Sequence, residues 1–144
     1  MPAEGSGCRN YQGPAWYRKH FVLPAETKGQ RVVLHFEAAM GKQILYLNGK
    51  RIQEHLGGYP PFTLDLTANG VQAGDSCLLA VFTDNSDDKS YPPGKRQYTL
   101  DFAYHGGIYR DVWMIAKSPV AITDAIDSQI VGGGAVSYTH LRAH

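Results

Sequence analysis

Four carboxylates, Glu37, Glu54, Asp65 and Asp101, sit on or beside runs rich in β-branched and aromatic residues. Two carboxyl groups held about 5 to 10 Å apart could work as an acid and a nucleophile or base on a glycosidic bond. Sequence spacing alone brings no two of the four face to face, and a carboxylate on the outer face of a strand is ordinarily solvated. Glu37, Glu54 and Asp65 are therefore expected to be surface groups. His140 and His144 have the i, i+4 spacing that puts two imidazoles on one helical face, but the glutamate of a zincin helix and a third ligand are missing, so a metal site is not expected there. Cys8 and Cys77 fit no metal spacing and are expected to be two separate thiols, although two cysteines could pair. The sequence has no Gly-x-Ser-x-Gly and no phosphate-cradling glycine loop.

The elements that must position these residues read as strands and turns. At 144 residues the chain is about one domain long. Its 16 glycines and 8 prolines with 43% hydrophobic residues suit a turn-rich globular protein. A formal charge of +1 gives no global attraction for a polyanion, and no apolar run approaches the length needed to cross a bilayer, so neither nucleic acid nor a membrane is expected as partner. Strands are expected at Trp16–Pro24, Arg31–Ala38, Pro61–Leu66, Cys77–Asp84 and Ile108–Ala116. Alternation in the second puts Val32, Leu34 and Phe36 on the core face and Val33, His35 and Glu37 on the other. In KQILYLNGKRIQEHL, Asn48-Gly49 predicts a type I′ hairpin, because both central residues need positive φ. Asp84–Gln97, DNSDDKSYPPGKRQ, reads as a long exposed loop suited to binding. Short strands without helical periodicity make an all-β antiparallel β-sandwich.

The run KRQYTLDFAYHGGIYRDVWMIA, Lys95 to Ala116, gathers aromatics, an isolated aspartate and Gly106-Gly107. Glycine there would let the backbone turn sharply and re-enter a sheet, with Ile108, Val112 and Met114 alternating against Tyr109, Asp111 and Trp113. The succession WYRKHFVLP, LYLNGKRI, FTLDLT, VFTDNSDDKSYPPGK and LDFAYHGGIYRDVWMI resembles the N-terminal sugar-binding domain of family 2 glycoside hydrolases, and most closely that of their β-galactosidases. It covers nearly all of Gln12 to Ala135, with GGIYRDV at Gly106–Val112 the most specific piece.

The resemblance implies a jelly-roll β-sandwich (galactose-binding-domain-like), followed in the whole enzyme by an immunoglobulin-like domain and a catalytic (β/α)8 barrel that carries both catalytic glutamates. No catalytic residue is then expected in this chain. The resemblance implies that Asp101 contacts the hydroxyls of a β-galactoside, directly and through sodium, and that Asn10 makes a second sugar contact. A carboxylate suits such a place, because it accepts hydrogen bonds from two hydroxyls and is a hard ligand for a small cation. No cofactor is expected for this stretch alone; sodium, and magnesium, are implied for the whole enzyme. The partners implied are the carbohydrate, the C-terminal domains of the same chain and further copies in a homo-oligomer.

Residues 1–135 are thus expected to form the sugar-binding sandwich. Val136–His144, VSYTHLRAH, departs from the family and looks like a translated transposase-type sequencing adapter, and Met1 reads as an internal start. Alternative readings are a free-standing carbohydrate-binding module, in which Trp16, Tyr59, Tyr91 or Trp113 would stack on sugar rings, an interaction sandwich without a sugar role, and a β-glucuronidase or β-mannosidase relative.

Overall fold

A computed structural model of the chain describes residues 11–100, 105–122 and 126. Asn10, Asp101, Cys8 and the His140/His144 pair lie outside the described residues, as do Val136–His144.

Seven strands follow one another: β1 Pro14–Val22, β2 Arg31–Phe36, β3 Lys42–Leu47, β4 Lys50–Leu56, β5 Phe62–Asp65, β6 Ser76–Asp84 and β7 Val112–Lys117. They form a four-stranded sheet in the order β1-β6-β3-β4 and a three-stranded sheet in the order β5-β2-β7, with antiparallel pairing throughout. The helical content of the described residues is two short 3-10 turns, Ala25–Thr27 and Gln97–Thr99. This is the expected jelly-roll sandwich.

The core lies between the sheets. Val32, Leu34 and Phe36 from β2 meet Leu45 and Leu47 from β3, Leu64 from β5 and Cys77, Leu79 and Val81 from β6, all buried. Burying each such aliphatic or aromatic side chain stabilises the fold by about 1.5–3 kcal/mol. Phe36 and Phe62 stack at 4.6 Å, and His55 stacks on Phe62 at 4.2 Å, so three rings bridge from β2 to β4. Asn48 and Gly49 take φ of 50° and 83°, and they join β3 to β4 as the hairpin requires.

Two expectations need correction. Val33, read as lying on the face away from the core, is only 1% exposed. Its cross-strand neighbours on the two sides are Asp65, which pairs with Arg31, and Ile115. The last strand begins at Val112 and not at Ile108. Tyr109 is drawn out of the sheet direction by its hydroxyl, which donates to the Gly58 carbonyl at 2.6 Å, while Ile108 packs against the core.

Candidate functional site

The start of β1, the turns after β2 and β4, and the long β6–β7 connection meet at one end of the sandwich. Their common centre is Asn85, 4% exposed, just beyond the end of β6. Its Oδ1 accepts from the Gly13 N–H at 2.9 Å and its Nδ2 donates to the Tyr11 carbonyl at 3.0 Å. A buried amide with both ends satisfied fixes the entry of the chain into β1, because losing either partner would strand a polar group away from water. This overturns one part of the loop reading: Asp84–Gln97 is largely exposed, but its second residue is the buried pin of the whole end.

Gly106-Gly107 explains itself at the same place. A Cβ on Gly106 would come within 2.6 Å of Asn85 Nδ2, and one on Gly107, which has φ of 74°, would strike the Tyr17 hydroxyl. That hydroxyl accepts from the Ile108 N–H at 3.3 Å, and the Gly107 carbonyl accepts from the Met40 N–H at 2.9 Å. Gly57 N–H in turn donates to the Gly41 carbonyl at 2.9 Å, which ties the β4–β5 turn into the cluster. His105 and Tyr109 lie 6.1 Å apart at its rim. Asp87 accepts from the Gln12 side chain and the Gln97 N–H, so the long connection is strapped back to the start of β1. Burial pushes the Tyr59 phenol up, helped by Tyr109, and burial with Asp88 and Asp84 does the same to Tyr91. Both phenols are neutral at physiological pH and can donate or accept a hydrogen bond.

The carboxylates expected to be surface groups are dispersed and engaged. Glu37 accepts the Trp113 indole N–H at 2.8 Å, Glu54 pairs with Lys42 and Arg51, and Asp65 pairs with Arg31 at 2.7 Å and accepts the Ala68 N–H at 2.8 Å. Each does structural work in a separate place. Among the described residues no cluster of three or more His, Cys, Asp or Glu could hold a metal ion. Asp101 and Asn10 cannot be added to that test, being outside the described set. Cys77 is a buried free thiol, pushed up by burial and by Asp75. No helix of the described residues is long and apolar enough to cross a membrane.

Of the aromatics considered for sugar stacking, Trp16, Tyr59 and Trp113 are exposed. Trp16 lies on the outer face of the four-stranded sheet with Phe82 and Tyr46 at 5.3 and 5.6 Å, and the Arg18 guanidinium covers its ring at 5.5 Å. These contacts hold the ring against the sheet while part of it stays exposed. A cavity of about 740 Å³ lies at the other end of the sandwich beside Leu23, Lys28, Arg31, Asp65 and Pro119, where Arg31 and Asp65 are paired with each other. The Asn85 end is the better candidate.

A β-sandwich that converges its loops on one polar, glycine-tightened end can shape a ligand surface, and Glu37, Glu54 and Asp65, engaged in separate places, form no acid–nucleophile pair with one another. The chain belongs to the family 2 glycoside hydrolases, matching "Glycosyl hydrolases family 2, sugar binding domain" over residues 1–119. It is 36% identical to a β-galactosidase of Thermoanaerobacter pseudethanolicus over 80% of this chain and 15% of that protein. With a β-glucuronidase of Formosa agariphila it shares 32% identity over 78% of this chain and 12% of that protein. The crystal structure of Bacteroides uniformis β-glucuronidase superposes with a TM-score of 0.63 at 36% identity, covering 74% of this chain and 12% of that one. The chain therefore spans about an eighth of the length of these relatives.

Proposed function

We propose that the chain is the N-terminal sugar-binding domain of a retaining glycoside hydrolase that cleaves terminal β-D-galactosides in carbohydrate metabolism, its role being to complete the sugar site of a catalytic barrel elsewhere in the whole protein. The observation that carries the proposal is the family match over residues 1–119, together with 36% identity to a β-galactosidase. In the reaction, one barrel carboxyl protonates the leaving oxygen and the other forms the glycosyl-enzyme intermediate. This chain contributes binding. Asp101 accepts hydrogen bonds from the galactosyl hydroxyls, and Asn10 adds a second contact. A sodium ion held by Asp101 and barrel residues would supply a fixed positive charge for a sugar oxygen. Support for Asn10 comes from its sequence neighbour Tyr11, whose carbonyl accepts from Asn85 at the candidate end; Asp101 rests on the family resemblance. On the same reading Val136–His144 is not native to the enzyme.

A second reading, β-glucuronidase, is favoured by the B. uniformis and F. agariphila matches. One experiment separates the two. The source DNA is sequenced across codon 136, the continuous reading frame is expressed, and hydrolysis of nitrophenyl β-galactoside and β-glucuronide is compared. Preference for the galactoside supports the proposal, preference for the glucuronide installs the second reading, and a stop codon after His144 overturns both.

A further inference from the structure

On the core face of the four-stranded sheet the side chains change character along the strands. Leu45 meets Val81 across the β3–β6 ladder, both apolar and buried, but the next row towards the Asn85 end runs Ala15, Thr83, Gln43, His55 from β1 to β4. Thr83 and Gln43 are buried as deeply as the aliphatic core. A buried polar side chain is ordinarily matched at every polar atom, yet Gln43 Oε1 and the buried His55 Nε2 have no hydrogen-bond partner. Stability alone would favour an apolar residue at position 43, because an unpartnered buried acceptor loses its water and gains nothing in return.

The other end of the Gln43 amide accounts for its presence. Its Nε2 donates to the Ala39 carbonyl at 3.0 Å, inside the loop that joins β2 to β3. Ala38, Ala39, Met40 and Gly41 of that loop are all buried, although a connecting segment has backbone groups to satisfy and ordinarily runs over the surface. Two further turns rest on it. The Met40 N–H donates to the Gly107 carbonyl and the Gly41 carbonyl accepts from the Gly57 N–H, each at 2.9 Å. The Met40 sulfur lies against Gly58, where a Cβ would strike it, and Gly106 lies against Asn85 in the same way. A side chain anchored in the sheet therefore holds the loop that carries both glycine turns.

We infer that Gln43 is a positioning residue for the ligand surface at the Asn85 end: through the Ala39 carbonyl it sets the β2–β3 loop, and with it the Gly57-Gly58 and Gly106-Gly107 turns that flank that surface. The inference rests on the reading that this end serves the sugar site, and it gives Gln43 no contact with the sugar itself.

Gln43→Met keeps the length of the side chain and removes the amide. It exchanges one unpartnered buried acceptor, Oε1, for another, the Ala39 carbonyl, so the unfolding equilibrium constant of the 144-residue chain should stay within about fivefold of wild type. Amide hydrogen exchange should nevertheless quicken about tenfold at Met40 and Gly57, and stay unchanged at Leu23 and Leu66, which are bonded to Asp75 and Val32 away from this loop. In the whole enzyme, KM for a β-galactoside should rise about tenfold with kcat within about twofold of wild type, a split that a general loss of stability does not produce. Unchanged exchange at Met40 and Gly57, or equal quickening at all four amides, overturns the inference. Quickened exchange at those two with an unchanged KM leaves Gln43 as the residue that sets the loop and overturns instead the reading that this end serves the sugar. The wild type supplies a measurement that needs no variant: the Gln43 side-chain amide protons should be protected from exchange, and free exchange there would also overturn the inference.

Discussion

The Asn85 end and the β7 edge of one small sandwich are built on opposite terms. At the Asn85 end the constraints are polar, reach far along the chain and are met internally: Asn85 holds Gly13 and Tyr11, Tyr17 meets the Gly107–Ile108 turn, and Tyr109 reaches Gly58. At the β7 edge they are apolar and open, with Val112, Trp113 and Met114 exposed beside a cavity. The first region is held by polar contacts between residues far apart in the chain, and the second exposes apolar side chains among the described residues. Changes at the first region should therefore cost more stability than changes at the second.

The largest effect is expected from Asn85→Ala. It removes two hydrogen bonds and leaves the buried Gly13 N–H without a partner, so urea unfolding should show a loss of about 1–3 kcal/mol at unchanged slope. Next comes Gly107→Ala, which forces a Cβ into a positive-φ position against the Tyr17 hydroxyl and should cost about 1–3 kcal/mol. Its cost should shrink in a Tyr17→Phe background, because the atom it strikes is gone; equal costs in both backgrounds would place the strain in the backbone alone.

His55 gives a pH test within the core that both regions share. It stacks on Phe62, and its buried Nε2, like Oε1 of its cross-strand neighbour Gln43, has no hydrogen-bond partner. Burial pushes this imidazole below its ordinary value of 6.5. The unfolded chain then binds the proton more tightly than the folded one. Stability from this group is complete above 6.5 and is lost as the pH falls through that value towards the lower folded-state pKa. The wild type should lose more stability than His55→Gln between about pH 7.5 and about pH 5.5, and parallel curves would exclude His55 as the cause. The smallest effect is expected at the edge. Glu37→Gln loosens the hold on the Trp113 indole yet should shift monomer stability by no more than about 0.5 kcal/mol.

What could be read from the sequence follows from the range of the interactions. The Asn48-Gly49 hairpin is a local φ requirement, and the Val32, Leu34 and Phe36 face is a period-two pattern, so both were legible. The burial of Val33 was not, because its neighbours across the sheet, Asp65 and Ile115, come from strands far along the chain. Asn85 looked like any polar loop residue: its partners, Tyr11 and Gly13, lie more than 70 positions away. The only signal pointing to it was the Gly106-Gly107 pair, legible as a sharp turn but not as a close approach to a buried amide. Family resemblance, and no local pattern, is what singles out Asp101 and Asn10.

The most direct test of the central claim is kcat/KM for a β-galactoside in the whole enzyme carrying Asp101→Ala, compared with the wild type at matched thermal stability. A residue that binds the galactosyl hydroxyls should lose about 100-fold or more on truncation, with unchanged melting temperature. An unchanged kcat/KM would remove Asp101 from the sugar site and leave the sandwich a scaffold without a binding role.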